Sequence, residues 1–267
     1  MPDSPAAANL VEYAVQDHVA TITLNRPEKL NAFSDELVIA LGDAFRRLDL
    51  DEDAWVGVVH GKGRAFSTGA DVNQRQLRSR EEFIRLGGPQ GRGANSADLY
   101  AQAVNWKPII SAAHGYVMGL AVGVFFEADL TVAEAGTKFQ ITETGRGLSG
   151  ARYWGILQQR GGGALVNDVA LTGRFFTAEE CDAAGLLNRL AAPGTLLETA
   201  HDLAREVCKV PPLSVRSVVR SRRWYMDRLS REILMQIAPL KLYLSEDFQE
   251  SARAFVEKRK PNPYKGR

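Results

Sequence analysis

HGYVMGLAVGVFFEADL, residues 114 to 130, is the stretch on which the fold turns. Gly115 and Gly119 mark a tight turn, and from Gly119 to about Ala128 the chain is apolar almost all round. A helix of that kind has no solvent face, so it belongs inside a domain. The preceding PIISAAH (108–114) and the following DLTVAE (129–134) read as strands rich in buried positions. Strand, glycine turn, enclosed helix and strand make an α/β unit.

Working towards the N-terminus, AWVGVVH (54–60) is another buried strand, running into the glycine-rich GKGRAFSTGAD (61–71). LVEYAV and VATITL, separated by QDH, form a hairpin pattern. A helix follows, with Ser34 as its cap and Leu37, Leu41, Ala44, Phe45 and Leu48 as its apolar stripe. Residues 87–96, GGPQGRGANS, have neither periodicity nor bulk and read as a mobile loop, with a short helix expected between it and PIISAAH. Towards the C-terminus, Thr177 and Glu180 have capping-box spacing and Gly185 stands where that helix stops. Beyond Pro211 and Pro212 come amphipathic helices and a basic tail. The class is therefore α/β with a helical C-terminal lobe, divided as a core over 1–200 and a lobe over 201–267.

The whole chain of 267 residues can enclose one large core. With 33 Lys+Arg against 32 Asp+Glu there is no global field to draw nucleic acid or an anionic membrane. Cys181 and Cys208 match no metal spacing and suggest reduced thiols. The opening MPDSPAAANL resembles no secretory leader, and no run approaches the roughly 20 apolar residues of a membrane span. A cytoplasmic protein without a metal or prosthetic group is expected.

GRGLSG (145–150) matches a dinucleotide fingerprint, but KFQITET before it is short and half polar, and Asp168 falls within another helical run. His60 and His114 with Ser67 or Ser111 suggest a nucleophilic pair. No G-x-S-x-G elbow is present, and turn hydrogen bonds account for both histidines. The two glycine turns carry more: backbone N–H groups there lack intrahelical partners and can face a developing negative charge.

TLNRPEKLNAF, GKGRAFSTGAD, KPIISAAHGYVMG, FQITETGRGL, LTGRFFTAEECDAAGLLNRL and AFVEKRKP occur in an order and spacing that resembles the crotonase superfamily, the enoyl-CoA hydratase/isomerase family, across about residues 10–262. The resemblance implies a spiral of ββα units with a helical trimerisation lobe, and an acyl-CoA or enoyl-CoA substrate whose enolate is held by two backbone amides. By motif these are the amides of Ala70 and Leu120. One such donor is worth about 3 kcal/mol in the transition state. The resemblance also implies that Arg26 and Lys29 lie along the CoA path and that the Thr68 carbonyl accepts from adenine. Phe255 and Lys258 would reach a neighbouring subunit's nucleotide, in a homotrimer or a dimer of trimers. CoA enters as part of the substrate.

Two positions depart from the family pattern. Leu120 stands where many relatives have glycine; its N–H survives, but its side chain takes up volume. Gly123 replaces the first of two glutamates that hold a water in the family's hydratases, while the second is present as Glu143. Glu127, one turn beyond Gly123, reads as a structural carboxylate. One-base proton transfer by Glu143, in the manner of an isomerase, is expected ahead of efficient hydration. A non-catalytic acyl-CoA binder and a one-acid lyase or hydrolase are the alternatives. The acyl pocket departs as well, with LSGARYWGILQQRGGG placing Arg152, Tyr153 and Trp154 on its expected lining. Three large residues on an amphipathic helix are also what a core requires.

Overall fold

The computed structural model describes residues 10–88, 96–101 and 103–267; the mobile loop read over 87–96 falls mainly outside them, as does most of the N-terminal decapeptide. Strands β1 (Val11–Gln16) and β2 (Val19–Leu24) form the expected hairpin. Asp17 and His18 close it with φ of 50° and 65°, the doubly left-handed turn whose twist matches that of paired strands. Helix α1 (Asp35–Leu50) starts where Ser34 accepts from the Leu37 N–H, and its five expected apolar positions are buried. Strand β3 (Val56–Gly61), helices α2 (Val72–Arg75) and α3 (Arg80–Leu86), and strand β4 (Ile109–Ala113) follow.

Next come β5 (Tyr116–Met118), the enclosed helix α4 (Leu120–Glu127), β6 (Leu130–Glu134) and β7 (Lys138–Gln140). Helices α5 (Thr142–Gly145), α6 (Ala151–Gln159) and α7 (Gly163–Thr172) lead to β8 (Phe176–Thr177), α8 (Ala178–Ala183) and β9 (Arg189–Ala191). The chain ends in α9 (Leu196–Cys208), α10 (Pro212–Ile237), α11 (Pro239–Tyr243) and α12 (Glu246–Val256). Thr177 and Glu180 make both bonds of the capping box at the start of α8.

Six strands form one sheet in the order β1-β2-β3-β4-β6-β9, antiparallel only between β1 and β2. A smaller sheet has the order β5-β7-β8. Helix α4 buries Ala121, Val122, Phe125 and Phe126 in a core shared with α1, and Phe125 meets Phe66 and Phe139 at ring separations of 5.9 and 5.4 Å. The other face of the large sheet is covered by Leu196, Ala200, Leu203 and Ala204 of α9.

Three expectations need correction. The boundary at residue 200 cuts through α9, whose apolar face packs on the sheet, and α9 runs on to Cys208. The described residues between 96 and 106 form turns and not a short helix, their N–H groups at Val104, Asn105 and Trp106 capped by the Asp49 carboxylate. His60 bonds across the sheet to the Thr23 hydroxyl at 2.9 Å and not within a turn, because the two residues are registered on neighbouring strands. No helix among the described residues is long and apolar enough to cross a membrane.

Candidate active site

Two glycine turns are laced together by backbone. The Ser67 N–H bonds to Tyr116 O at 3.1 Å, and the Met118 N–H bonds to Ser67 O at 3.1 Å, so residues 67–70 run beside 116–120. Gly69 (φ 87°) must be glycine: a Cβ there would stand 2.4 Å from Met118 O and 3.4 Å from Leu120 N. Gly119 (φ 52°) precedes the first residue of α4, which leaves Leu120 in ordinary helical backbone. Leucine therefore costs nothing in φ at 120, and its side chain packs against the core. Among the described residues neither the Ala70 nor the Leu120 N–H has an acceptor. The start of α4 also carries the positive end of the helix dipole.

Glu143, on the single turn α5, closes on the same point. A Cβ at Gly119 would lie 3.0 Å from Glu143 Oε1 and 2.6 Å from Thr142 Oγ1. Burial pushes the Glu143 carboxyl up to about 7, against the pull of its own N–H, the Arg146 guanidinium and the hydroxyls of Thr142 and Tyr153. A carboxyl near neutrality both accepts and returns a proton. Ala70, Leu120 and Glu143 line one cavity of about 180 Å³.

Other walls of that cavity come from Arg75, Arg152, Tyr153 and, from the C-terminal segments, Leu234, Leu242 and Tyr243. Of the three residues expected on the pocket lining, Arg152 and Tyr153 are there; Trp154 turns away and donates to Asn167 at 2.7 Å. Glu127 does not line the cavity; it is buried and pairs with Arg152, as a structural carboxylate should. Arg75 was not legible as a lining residue. It sits in a polar stretch, and a buried ion pair with Asp35, at 2.6 Å, draws it inward. Tyr243 gave no local signal, since it arrives from another part of the chain.

The remaining expected positions are spread around this centre. Arg26 is engaged by Asp71 at 2.9 Å and by Ala32 O at 2.9 Å, so its guanidinium is committed within the chain. Lys29 is exposed at the end of a one-turn helix, and Thr68 is tied to Leu30 O through its N–H at 3.1 Å. Phe255 packs beneath the Arg146 guanidinium of its own chain, 4.2 Å from ring centre to carbon, and Lys258 lies exposed beyond it. His114 bonds to Gly63 O at 2.7 Å, the Ser67 hydroxyl donates to Asn31 O at 2.7 Å and His60 is on Thr23, so neither histidine is bonded to Ser67 or Ser111 among the described residues. The GRGLSG segment follows the one-turn α5 and not a strand, and Asp168 is paired with Arg174. Neither supports a dinucleotide site.

The mixed α/β fold with its mostly parallel sheet is the crotonase-type fold of solved enoyl-CoA hydratase/isomerase structures. The profile of the family described as enoyl-CoA hydratase/isomerase matches residues 14–267. A putative enoyl-CoA hydratase from Thermus thermophilus is 33% identical over 250 residues, covering 91% of this chain and 96% of that protein. A 1,2-epoxyphenylacetyl-CoA isomerase from Escherichia coli is 28% identical, covering 92% and 95%. The solved structure of an enoyl-CoA hydratase/isomerase from Pseudoalteromonas atlantica superposes with a TM-score of 0.81 at 26% identity, covering 96% of this chain and all of that one. The chain belongs to the enoyl-CoA hydratase/isomerase family.

Proposed function

We propose that the protein acts on an acyl-CoA thioester through an enolate, with Glu143 as the single carboxylate base and the amides of Ala70 and Leu120 holding the thioester oxygen. The observation that carries this reading is the placing of the Glu143 carboxylate against Gly119, one residue from the unpartnered Leu120 N–H and in one cavity with Ala70. A thioester oxygen between two amides leaves its α-carbon beside the base, and the negative charge developing on that oxygen is met by fixed donors. The relatives named as a hydratase and an isomerase support a CoA thioester as substrate. On this reading CoA is bound as part of the substrate, and the assembly is a homotrimer or a pair of trimers in the cytoplasm.

Glu143→Gln tests the assignment because it keeps the shape and removes the base. Deuterium wash-in at the α-carbon of butyryl-CoA should fall by about a hundredfold or more, with CoA binding nearly intact. Exchange at the wild-type rate would take the role from Glu143. Exchange by the wild type also separates an enzyme from a pure acyl-CoA binder, which would show only background.

A further inference from the structure

The carboxylate missing at Gly123 has left no gap. A Cβ built on Gly123 would meet Tyr153 Cε1 at 2.6 Å, Tyr153 Cδ1 at 3.1 Å and Arg152 Nη1 at 3.1 Å. The space into which a side chain at 123 would grow is filled by a phenol ring reaching across from the first turn of α6. That ring lines the cavity together with Glu143, Ala70 and Leu120. Burial first, and then the charge of Glu143, hold the Tyr153 hydroxyl well above its ordinary value of 10. It is therefore a proton-bearing donor throughout the working range. Its neighbour Arg152 is occupied by Glu127, which leaves the phenol as the polar group facing Glu143 from α6.

We propose that Tyr153 takes over the task vacated at position 123: its O–H holds the oxygen of a water at the β-carbon while Glu143 takes that water's proton. This rests on the enolate reading above and narrows it to the reversible addition of water, so that the substrate pair is a 2-enoyl-CoA and a 3-hydroxyacyl-CoA. In the forward direction the Glu143 carboxylate removes one proton from water, and the freed oxygen pair forms the bond to the β-carbon. The π pair then moves onto the thioester oxygen between the two amides. The enolate collapses as the α-carbon takes the proton back from Glu143. One H and one OH are added, nothing is oxidised, and Tyr153 ends as it began. The departure at Gly123, which by itself argues against hydration, is on this reading one half of an exchange.

Tyr153→Phe keeps the ring against Gly123 and deletes only the oxygen. Water addition to crotonyl-CoA and cinnamoyl-CoA should fall about a hundredfold in kcat with KM little changed, and by about tenfold or more beyond any fall in α-deuterium exchange of butyryl-CoA, which needs no held water. Gly123→Ala, which keeps the hydroxyl but shifts the ring that carries it, should reproduce the same preferential loss of hydration. Hydration by Tyr153→Phe at the wild-type rate would overturn the proposal, as would a wild type that exchanges the α-hydrogen yet hydrates neither enoyl-CoA. Failure of the underlying reading is separate, because it shows as exchange surviving Glu143→Gln.

Discussion

Glu143 is held at the edge of ionisation by burial, and the consequence has a sign. The ionisable groups sharing its cavity are Arg75 from α2, Arg152 and Tyr153 from α6, and Tyr243 from α11, with Arg146 from its own segment. In the proposed role of base it must be deprotonated, so the α-exchange rate should climb with pH up to about 7 and level off above it. A flat profile from pH 5 to 8 would contradict this. The same carboxyl binds its proton more tightly folded than unfolded, where its value is near 4.5. Its contribution to stability is therefore complete below about 4.5 and is lost as pH rises through about 7. Glu143→Gln should gain stability on the wild type by on the order of 2 kcal/mol between pH 4.5 and pH 8. Parallel curves of Tm against pH would refute it. The convergence of Glu143, Ala70 and Leu120 on one cavity was readable from sequence because each lies in a contiguous motif. The pairing of Gly123 with Tyr153 was not, since two residues meet there only after α4 and α6 have packed, and no local pattern records which ring fills which vacancy.

Among the elements, those whose signals are local were legible: the hairpin with its two-residue turn, the Ser34 cap, the box at Thr177 and Glu180, and the enclosed α4. What escaped was allegiance, namely which layer each helix joins. Helix α9 has the amphipathic look of the lobe that follows but lies on the sheet of the core. Helix α10 packs on α6 and is tied to the core by a carboxylate, Asp129, which ends the loop after α4. It accepts from Arg222 and Arg223 at 3.2 and 2.5 Å, and also from the Ile109 N–H at 2.8 Å. Asp129 and Arg223 are 6% and 5% exposed, so removal of the acid strands a buried guanidinium. Asp129→Ala should cost about 3–5 kcal/mol in urea unfolding. A loss below about 1 kcal/mol would mean that the pair is solvated.

For the molecule as a whole, core and lobe share one cavity: the core supplies Glu143, Ala70 and Leu120, while Leu234, Ile237, Leu242 and Tyr243 of α10 and α11 close the other side. Joint replacement of Leu234 and Ile237 by alanine should move the preference among acyl-CoA chain lengths towards longer chains. It should also raise KM for short ones by about tenfold or more, since each methylene in a pocket is worth roughly 1–3 kcal/mol. An unaltered chain-length profile would place the acyl group elsewhere. That closing wall also sets a timetable. Residues 234–243 leave the ribosome after the segments that carry Ala70, Leu120 and Glu143, so chains stalled before residue 234 lack one wall of the cavity and should be unable to turn over an acyl-CoA thioester that the released protein consumes.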